Sequence, residues 1–353
     1  MRILQIGLGG FGRNHLRAWQ EMGRLDDLSV AEMDQSRLAA CRAVGIPDER
    51  LSTDFTRLLD RADVVDIVTP STSHYALCAA ALEAGKDVFV EKPMTMTSGE
   101  AVKLGDLAAR RGRMLQVGYY YRFHPLSRHV KERLQRGEAG DLRYISGNFM
   151  GFKRARTDVG VTHTDAIHFI DLFNWWFGAP PDQVYAVIRD HWNRGMEDTS
   201  IALFTYRGGA IAKVESGYVQ PGRWRDKVVP NAFTSKEALV VGSRATAEID
   251  FETESLAWHD VHHEARDGTW WPAMGGTIVP NVGTASPVQM IAAELADFFR
   301  SVETRRRPEA NVIGSGIVLA RLMEALYESA RVDRPVQLTW SADERAALET
   351  PPA

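Results

Sequence analysis

The chain has 353 residues, 44% of them hydrophobic and 25% charged, the balance of an ordinary globular protein with length enough for two domains. Its formal charge of −4, with acids and bases mixed along the sequence, argues against nucleic acid or a membrane surface as a partner. The two cysteines, Cys41 and Cys78, each lie in a helical pattern and read as small buried side chains in a reducing compartment; with no apolar leader and no apolar stretch of about 18 residues, a cytoplasmic protein is expected.

In chain order, short apolar runs at 3–6, 28–32, 63–69, 87–91 and 114–118 read as strands. Helical patterns over about 11–22, 35–44, 74–84 and 98–111 separate them, the last opening with Thr97 and Glu100 at capping-box spacing. Nearly all-apolar strands alternating with helices predict a parallel sheet covered on both faces, a doubly wound α/β fold.

The first strand breaks into "GLGGFG", where Gly7, Gly9 and Gly12 spell G-x-G-x-x-G at the start of a helix, with Gly10 and Phe11 inside the turn. Gly7 permits the tight turn, Gly9 lets backbone approach a diphosphate, and Gly12 lets the helix pack close to the strand. The diphosphate then sits on the unpaired N–H groups of the helix. Glu32, 20 residues beyond Gly12, ends the second strand where a carboxylate suits the ribose hydroxyls of NAD. Arg37 can turn onto a 2′-phosphate, so NAD is the expected cofactor with NADP left open.

Residues 69–93, "TPSTSHYALCAAALEAGKDVFVEKP", together with the glycine turn, resemble the Gfo/Idh/MocA family, that of glucose–fructose oxidoreductase and inositol dehydrogenase. The features that carry the resemblance are Thr69-Pro70, His74, Ala84-Gly85-Lys86 and Glu91-Lys92-Pro93. "QVGYYYRFHP" at 116–125 looks like the family's domain-crossing segment, and 294–338 like its closing helices. The resemblance implies an NAD(P)-dependent oxidoreductase, with Thr69, Pro70, His74, Glu91 and Lys92 at the cofactor. Lys92 also has a reading of its own. It leaves the C-terminal end of a parallel strand, where ligands of open α/β sheets bind, and an ammonium there can hold a substrate oxygen as hydride leaves carbon.

Beyond about residue 123 the rhythm changes. One helix ("PLSRHVKERLQRG") precedes candidate strands at 142–149, 183–189, 199–206, 210–217, 237–241, 245–251, 254–259 and 261–265, with turns at 207–209, 242–243 and 259–260. This predicts an α+β domain on an open, mostly antiparallel sheet. The expected division is a dinucleotide-binding domain over 1–122, a substrate-binding and oligomerisation domain over 123–340, and a loose tail over 341–353.

The stretch "GVTHTDAIHFIDLFNWWFG" at 160–178 sets polar residues among apolar ones. On an α-helix from about 164, His168 shares a face with Thr164, Asp165 and Asp171, while Ile167, Phe169 and Phe173 pack. The family resemblance implies an Asp four residues before the catalytic His, where this chain has Thr164 and carries the acid at Asp165. Lys92, His168 and Asp165 are therefore the expected catalytic residues. Lys92, Arg122, His163, Asp165 and His168 are the expected substrate contacts. No metal site is expected, because His163, Asp165 and His168, even with His262 and His263, lack the spacing of a recognised structural zinc site. Stretches 219–227 and 268–283, broken by Gly and Pro and rich in Trp and Arg, read as loops suited either to sugar rings or to subunit contact. Arg305 to Arg307 reads as a solvated turn.

The reading is hydride transfer between a secondary alcohol of a sugar, sugar derivative or cyclitol and the nicotinamide, by a homodimer or homotetramer. Two alternatives stay open at this point: an NAD-using glycoside hydrolase that oxidises its sugar transiently, and a non-catalytic dinucleotide-binding protein.

Overall fold

The computed structural model describes residues 1–229, 231–308 and 313–348. The chain forms two compact units: Met1–Phe123 with Ala285–Arg321, and His124–Thr284 with the stretch beginning at Leu322.

The first unit runs β1 (Ile3–Ile6), α1 (Gly12–Glu21), β2 (Leu28–Ala31), α2 (Ala39–Ala43), β3 (Leu51–Ser52), α3 (Thr56–Leu59), β4 (Val64–Ile67), α4 (His74–Glu83), β5 (Asp87–Glu91), α5 (Ser98–Arg111) and β6 (Leu115–Gly118). The strands form one parallel sheet in the order β3-β2-β1-β4-β5-β6. Every residue of β1, β4, β5 and β6 is buried, which is why their sequences read as continuous apolar runs. The chain leaves β1 toward one edge and returns at β4 to build the other. The loops after β1 and β4 thus flank the switch point where doubly wound sheets bind ligands. Thr97 caps α5 by accepting from the Glu100 N–H, as its spacing predicts. β3 and α3 are additions to the sequence reading, each too short to show a period.

The second unit opens with α6 (Pro125–Gln135) and β7 (Leu142–Phe152), then a π-helical turn, Thr162–Ala166, that runs into α7 (Ile167–Phe177). There follow β8 (Gln183–Arg189), β9 (Thr199–Thr205), β10 (Ile211–Gly217), β11 (Trp224–Arg225), β12 (Phe233–Gly242), β13 (Thr246–Asp250), β14 (Ser255–Arg266) and β15 (Thr269–Ile278). The chain closes with α8 (Pro287–Thr304), α9 (Ile313–Val332), β16 (Val336–Gln337) and α10 (Ala342–Ala346). The sheet is open, ordered β15-β14-β13-β12-β7-β10-β9-β8-β16 with β11 beside β12, and antiparallel except where β7 meets β10. α7 packs on β7 and β10 on one face. On the other face Ile201, Leu203 and Ile211 are 38%, 42% and 44% exposed.

Three stretches differ from the sequence reading. Residues 254–265 are not two strands: His259 and Asp260 lie inside β14, at a register shift rather than a turn. Much of 268–283 is not a loop but β15, paired to β14, because its Gly and Pro residues fall on an edge strand that tolerates them. The tail expected over 341–353 contains α10, started by a Ser341/Glu344 capping box; 349–353 lie outside the described residues.

The helix α8 groups with the first unit, whereas the sequence reading placed it in the second. Its Phe299 meets Trp19 of α1 edge-on at 5.3 Å, and Phe298 meets Phe89 of β5 at 5.8 Å. Apolar periodicity announces that a helix has a buried face but not which sheet receives it. The turn after α8 is also more than solvated, since Arg305 takes a left-handed conformation (φ 54°) and donates to the buried Asp87 at 2.7 Å. Among the described residues no helix is long and apolar enough to cross a membrane. Phe298 is 1% exposed, so Phe298→Ala should lower stability by about 3–5 kcal/mol, read as a shifted urea midpoint.

Candidate active site

The turn after β1 is set by close backbone approach. Gly7 has φ +102°, and a Cβ there would stand 2.5 Å from the Val68 carbonyl oxygen. A Cβ on Gly12 would stand 2.5 Å from the Gly7 oxygen. Buried Gln5 ties the two ends together, its amide donating to the carbonyls of Gly7 (2.9 Å) and Gly12 (2.8 Å). Around Gly9 and Gly10 there is clearance instead, with nothing nearer than 3.8 Å to a Cβ on either. No side chain caps the N-terminus of α1, where Phe11 holds the cap position. Open backbone facing an uncapped helix end fits a dinucleotide diphosphate.

Glu32 sits against this turn. Its carboxylate accepts the Leu8 N–H at 2.6 Å and the Asp34 N–H at 3.0 Å. Arg37 lies 3.7 Å from Glu32 and 3.1 Å from Asp34, so its charge is shared between two acids. After β4, His74 clasps backbone: Nδ1 lies 2.7 Å from the Pro93 oxygen and Nε2 2.9 Å from the Thr69 oxygen. The Thr69-Pro70 turn and the Glu91-Lys92-Pro93 turn are therefore fastened to each other.

Lys92, half-buried, follows Glu91 at the C-terminal end of β5. Glu91 is gripped on both oxygens. His15 Nε2 lies 3.3 Å from Oε1, and the Lys92 N–H donates to Oε2 at 3.2 Å. The other ring nitrogen of His15 lies 3.0 Å from Asp66 of β4, whose same oxygen accepts the Trp19 indole N–H at 2.9 Å. Burial disfavours the imidazolium, but Asp66 and Glu91 together outweigh it and raise the His15 pKa to about 10. The partner helix α8 adds Glu294, whose carboxyl is held well above the usual range by burial and by Glu91. One buried cation thus fixes the carboxylate beside which Lys92 leaves the sheet. Arg122 is buried too, its guanidinium 5.4 Å over the Tyr119 ring.

In the second unit His163, Asp165 and His168 are all buried on the segment joining the π-turn to α7. The expected α-helical neighbour rule does not apply here, because the turn is wound i→i+5 and offsets every residue before it. Asp165 is occupied by Lys153, whose ammonium lies 2.6 Å away and 4.2 Å over the Phe149 ring. The His168 ring lies 6.2 Å from that of Phe149. Thr164 donates to the Gly160 carbonyl at 2.8 Å. His163 Nδ1 lies 2.8 Å from the Tyr327 hydroxyl oxygen, and that hydroxyl donates to Glu197 at 2.7 Å. Among the described residues no group of three or more His, Cys, Asp or Glu could hold a metal ion.

Sequence reasoning missed Gln5, His15, Asp66, Lys153, Glu197 and Tyr327. Gln5 and Asp66 did leave a signal, as single polar residues inside apolar strands. The others carry none, since their partners lie far off in sequence or across a strand end.

A diphosphate-binding turn followed by a lysine at the mouth of the same parallel sheet defines a dinucleotide-dependent oxidoreductase. Residues 1–119 match the Gfo/Idh/MocA oxidoreductase family, NAD-binding Rossmann fold, and residues 127–248 match the Gfo/Idh/MocA C-terminal domain. The chain belongs to this family. It is 26% identical to D-xylose 1-dehydrogenase (NADP(+)) 2 of Haloferax volcanii, over 94% of this chain and 98% of that enzyme. It is 28% identical to the D-apiose dehydrogenase of Paraburkholderia graminis, over 94% of this chain and 88% of that enzyme. The fold is shared with an oxidoreductase domain protein from Kribbella flavida (TM-score 0.81, 21% identity, 96% of this chain and 99% of that one).

Because the pKa of His15 rises on folding, its contribution to stability is complete below about pH 6.5 and lost as pH climbs through about 10. His15→Gln should therefore be less stable than the parent by on the order of a few kcal/mol at pH 6.5. The gap should close toward pH 10, as read from urea unfolding at each pH.

Proposed function

We infer that the protein is an NAD-dependent dehydrogenase acting on a secondary alcohol of a sugar, sugar derivative or cyclitol. The observation that carries the reading is Lys92, anchored through Glu91 and His15 at the end of β5 beside the nucleotide turn. Relatives named as D-xylose and D-apiose dehydrogenases support a sugar-like substrate. Gly7, Gly9, Gly10, Phe11 and Gly12 would hold the diphosphate, and Glu32 the ribose. The bound nicotinamide supplies the hydride acceptor.

The chain's own work concerns the proton. An alcohol that loses hydride while keeping its proton becomes a protonated carbonyl, so a base must take the proton as the hydride departs. His168 takes it. The Lys92 ammonium donates a hydrogen bond to the reacting oxygen and stabilises its growing negative charge. Asp165, paired with Lys153, acts on this site indirectly, and its removal costs less than that of either.

We read the enzyme as a cytoplasmic homodimer or homotetramer. Cys41 and Cys78 are buried and free, and burial pushes the Cys41 thiol up to about 11. The outer sheet face with Ile201, Leu203 and Ile211 supports self-association.

The reading is tested with purified protein, NAD and a panel of D-xylose, D-apiose and myo-inositol, following NADH at 340 nm. Lys92→Ala and His168→Ala should each lower kcat by on the order of 10²- to 10⁴-fold with NAD affinity nearly unchanged. His168→Ala retaining more than about half of wild-type turnover would remove it as the base. Glu32 should favour NAD over NADP by about tenfold in kcat/KM, a factor that ~1.4 kcal/mol of charge repulsion supplies. Equal use of both cofactors would shift attention to Arg37.

A further inference from the structure

His163 has its ring proton fixed by residues far away in the chain. Glu197 packs directly on backbone: a Cβ on Gly160 would come within 2.2 Å of its carboxylate atoms. Glu197 Oε1 accepts the Thr162 N–H at 3.0 Å and the Tyr327 hydroxyl at 2.7 Å. A carboxylate only accepts, so the single proton of Tyr327 points at Glu197 and its oxygen is left to accept in turn. His163 Nδ1, 2.8 Å from that oxygen, must be the donor. A neutral imidazole carries one N–H, so Nε2 bears the lone pair. The ring is also held in place, stacked on Tyr327 at 5.2 Å and 17° and only 8% exposed.

The backbone supplies the second half of the argument. In the π-turn the Ile167 N–H reaches back five residues to the Thr162 carbonyl. The residue five before His168 then takes the helix face that the residue four before would hold in an α-helix. That residue is His163. Thr164, at the position where the family resemblance implies an acid, spends its hydroxyl on the Gly160 carbonyl.

The geometry points to His163 as a specificity-determining residue whose Nε2 accepts a hydrogen bond from a second hydroxyl of the substrate, with Tyr327 and Glu197 as positioning residues that fix its tautomer. The substrate class is a polyol, bound by two imidazoles on successive turns, rather than an alcohol with one hydroxyl. A site built to pair a hydroxyl disfavours an analogue that lacks it, because the buried acceptor is left unpaired. The inference rests on the dehydrogenase reading of this site for its substrate, and on geometry alone for its tautomer.

The test has two arms. Imidazole ¹⁵N NMR of the NAD-loaded protein without substrate, with the His163 signals identified by their loss in His163→Asn, should show the Nδ1–H tautomer. Tyr327→Phe keeps the stacked ring but removes the acceptor, and should move those shifts to a mixture of tautomers. With whichever of D-xylose, D-apiose and myo-inositol is turned over, Tyr327→Phe should raise KM about tenfold with kcat changed less than about threefold. If Tyr327→Phe folds poorly, His163→Asn carries the kinetic arm. Its amide can still donate to Tyr327 but lacks the distal nitrogen, and it should raise KM similarly. An Nε2–H tautomer in the parent, shifts unmoved by Tyr327→Phe, or an unchanged KM in the variant measured would each overturn the inference. If no panel member is turned over, the substrate reading fails while the NMR arm still decides the tautomer.

Discussion

The first unit depends on a charge buried without solvent. His15, fully inside the protein, lies between Asp66 and Glu91 and stays protonated because those two carboxylates outweigh the cost of removing a cation from water. The three residues come from α1, β4 and β5, so the ion cluster ties the nucleotide-binding helix to both strands that border the switch point. Glu91 passes the constraint on, because its second oxygen accepts the backbone N–H of Lys92. A lysine at a strand end would otherwise leave along any of several backbone paths. Here its starting point is fixed by groups that touch no substrate.

Much of the first unit is legible in the sequence because its rules are local. The glycine spacing, the acid at the end of β2 and the apolar runs of the strands each report on a few neighbouring residues. What the sequence withholds is pairing across the sheet. Asp66 inside "VVDIV" announces that a buried acid must be compensated, but not that its partner is a histidine one strand and one helix away. The placement of α8 escapes for the same reason, since Phe298 and Phe299 read as a buried face against any sheet.

The second unit shows a different limit. The stretch around His168 announces chemistry through polar residues on an apolar helix, and those residues are buried together on it. The helical offset was not legible, because a π-turn has no propensity signature and a single extra residue re-indexes the face. His163 thereby gains the place that α-helical counting gives to Thr164. Its orienting partners, Glu197 and Tyr327, lie 34 and 164 positions downstream and leave no short-range pattern. The fused strand β14 is a related case, where a polar His-Asp pair tolerated at a register shift mimics a turn.

Glu32 carries a consequence for redesign. The carboxylate suited to the ribose also latches the Leu8 N–H, so the glycine loop is held in order by the group that reads the nucleotide. Recognition and scaffold rigidity are one side chain. Replacing Glu32 with a neutral residue to admit a 2′-phosphate would release the loop at the same stroke, and the gain in tolerance would be offset by the entropy of re-ordering that loop at each binding event. Altered cofactor preference in this chain therefore calls for a second substitution that restores an acceptor to Leu8.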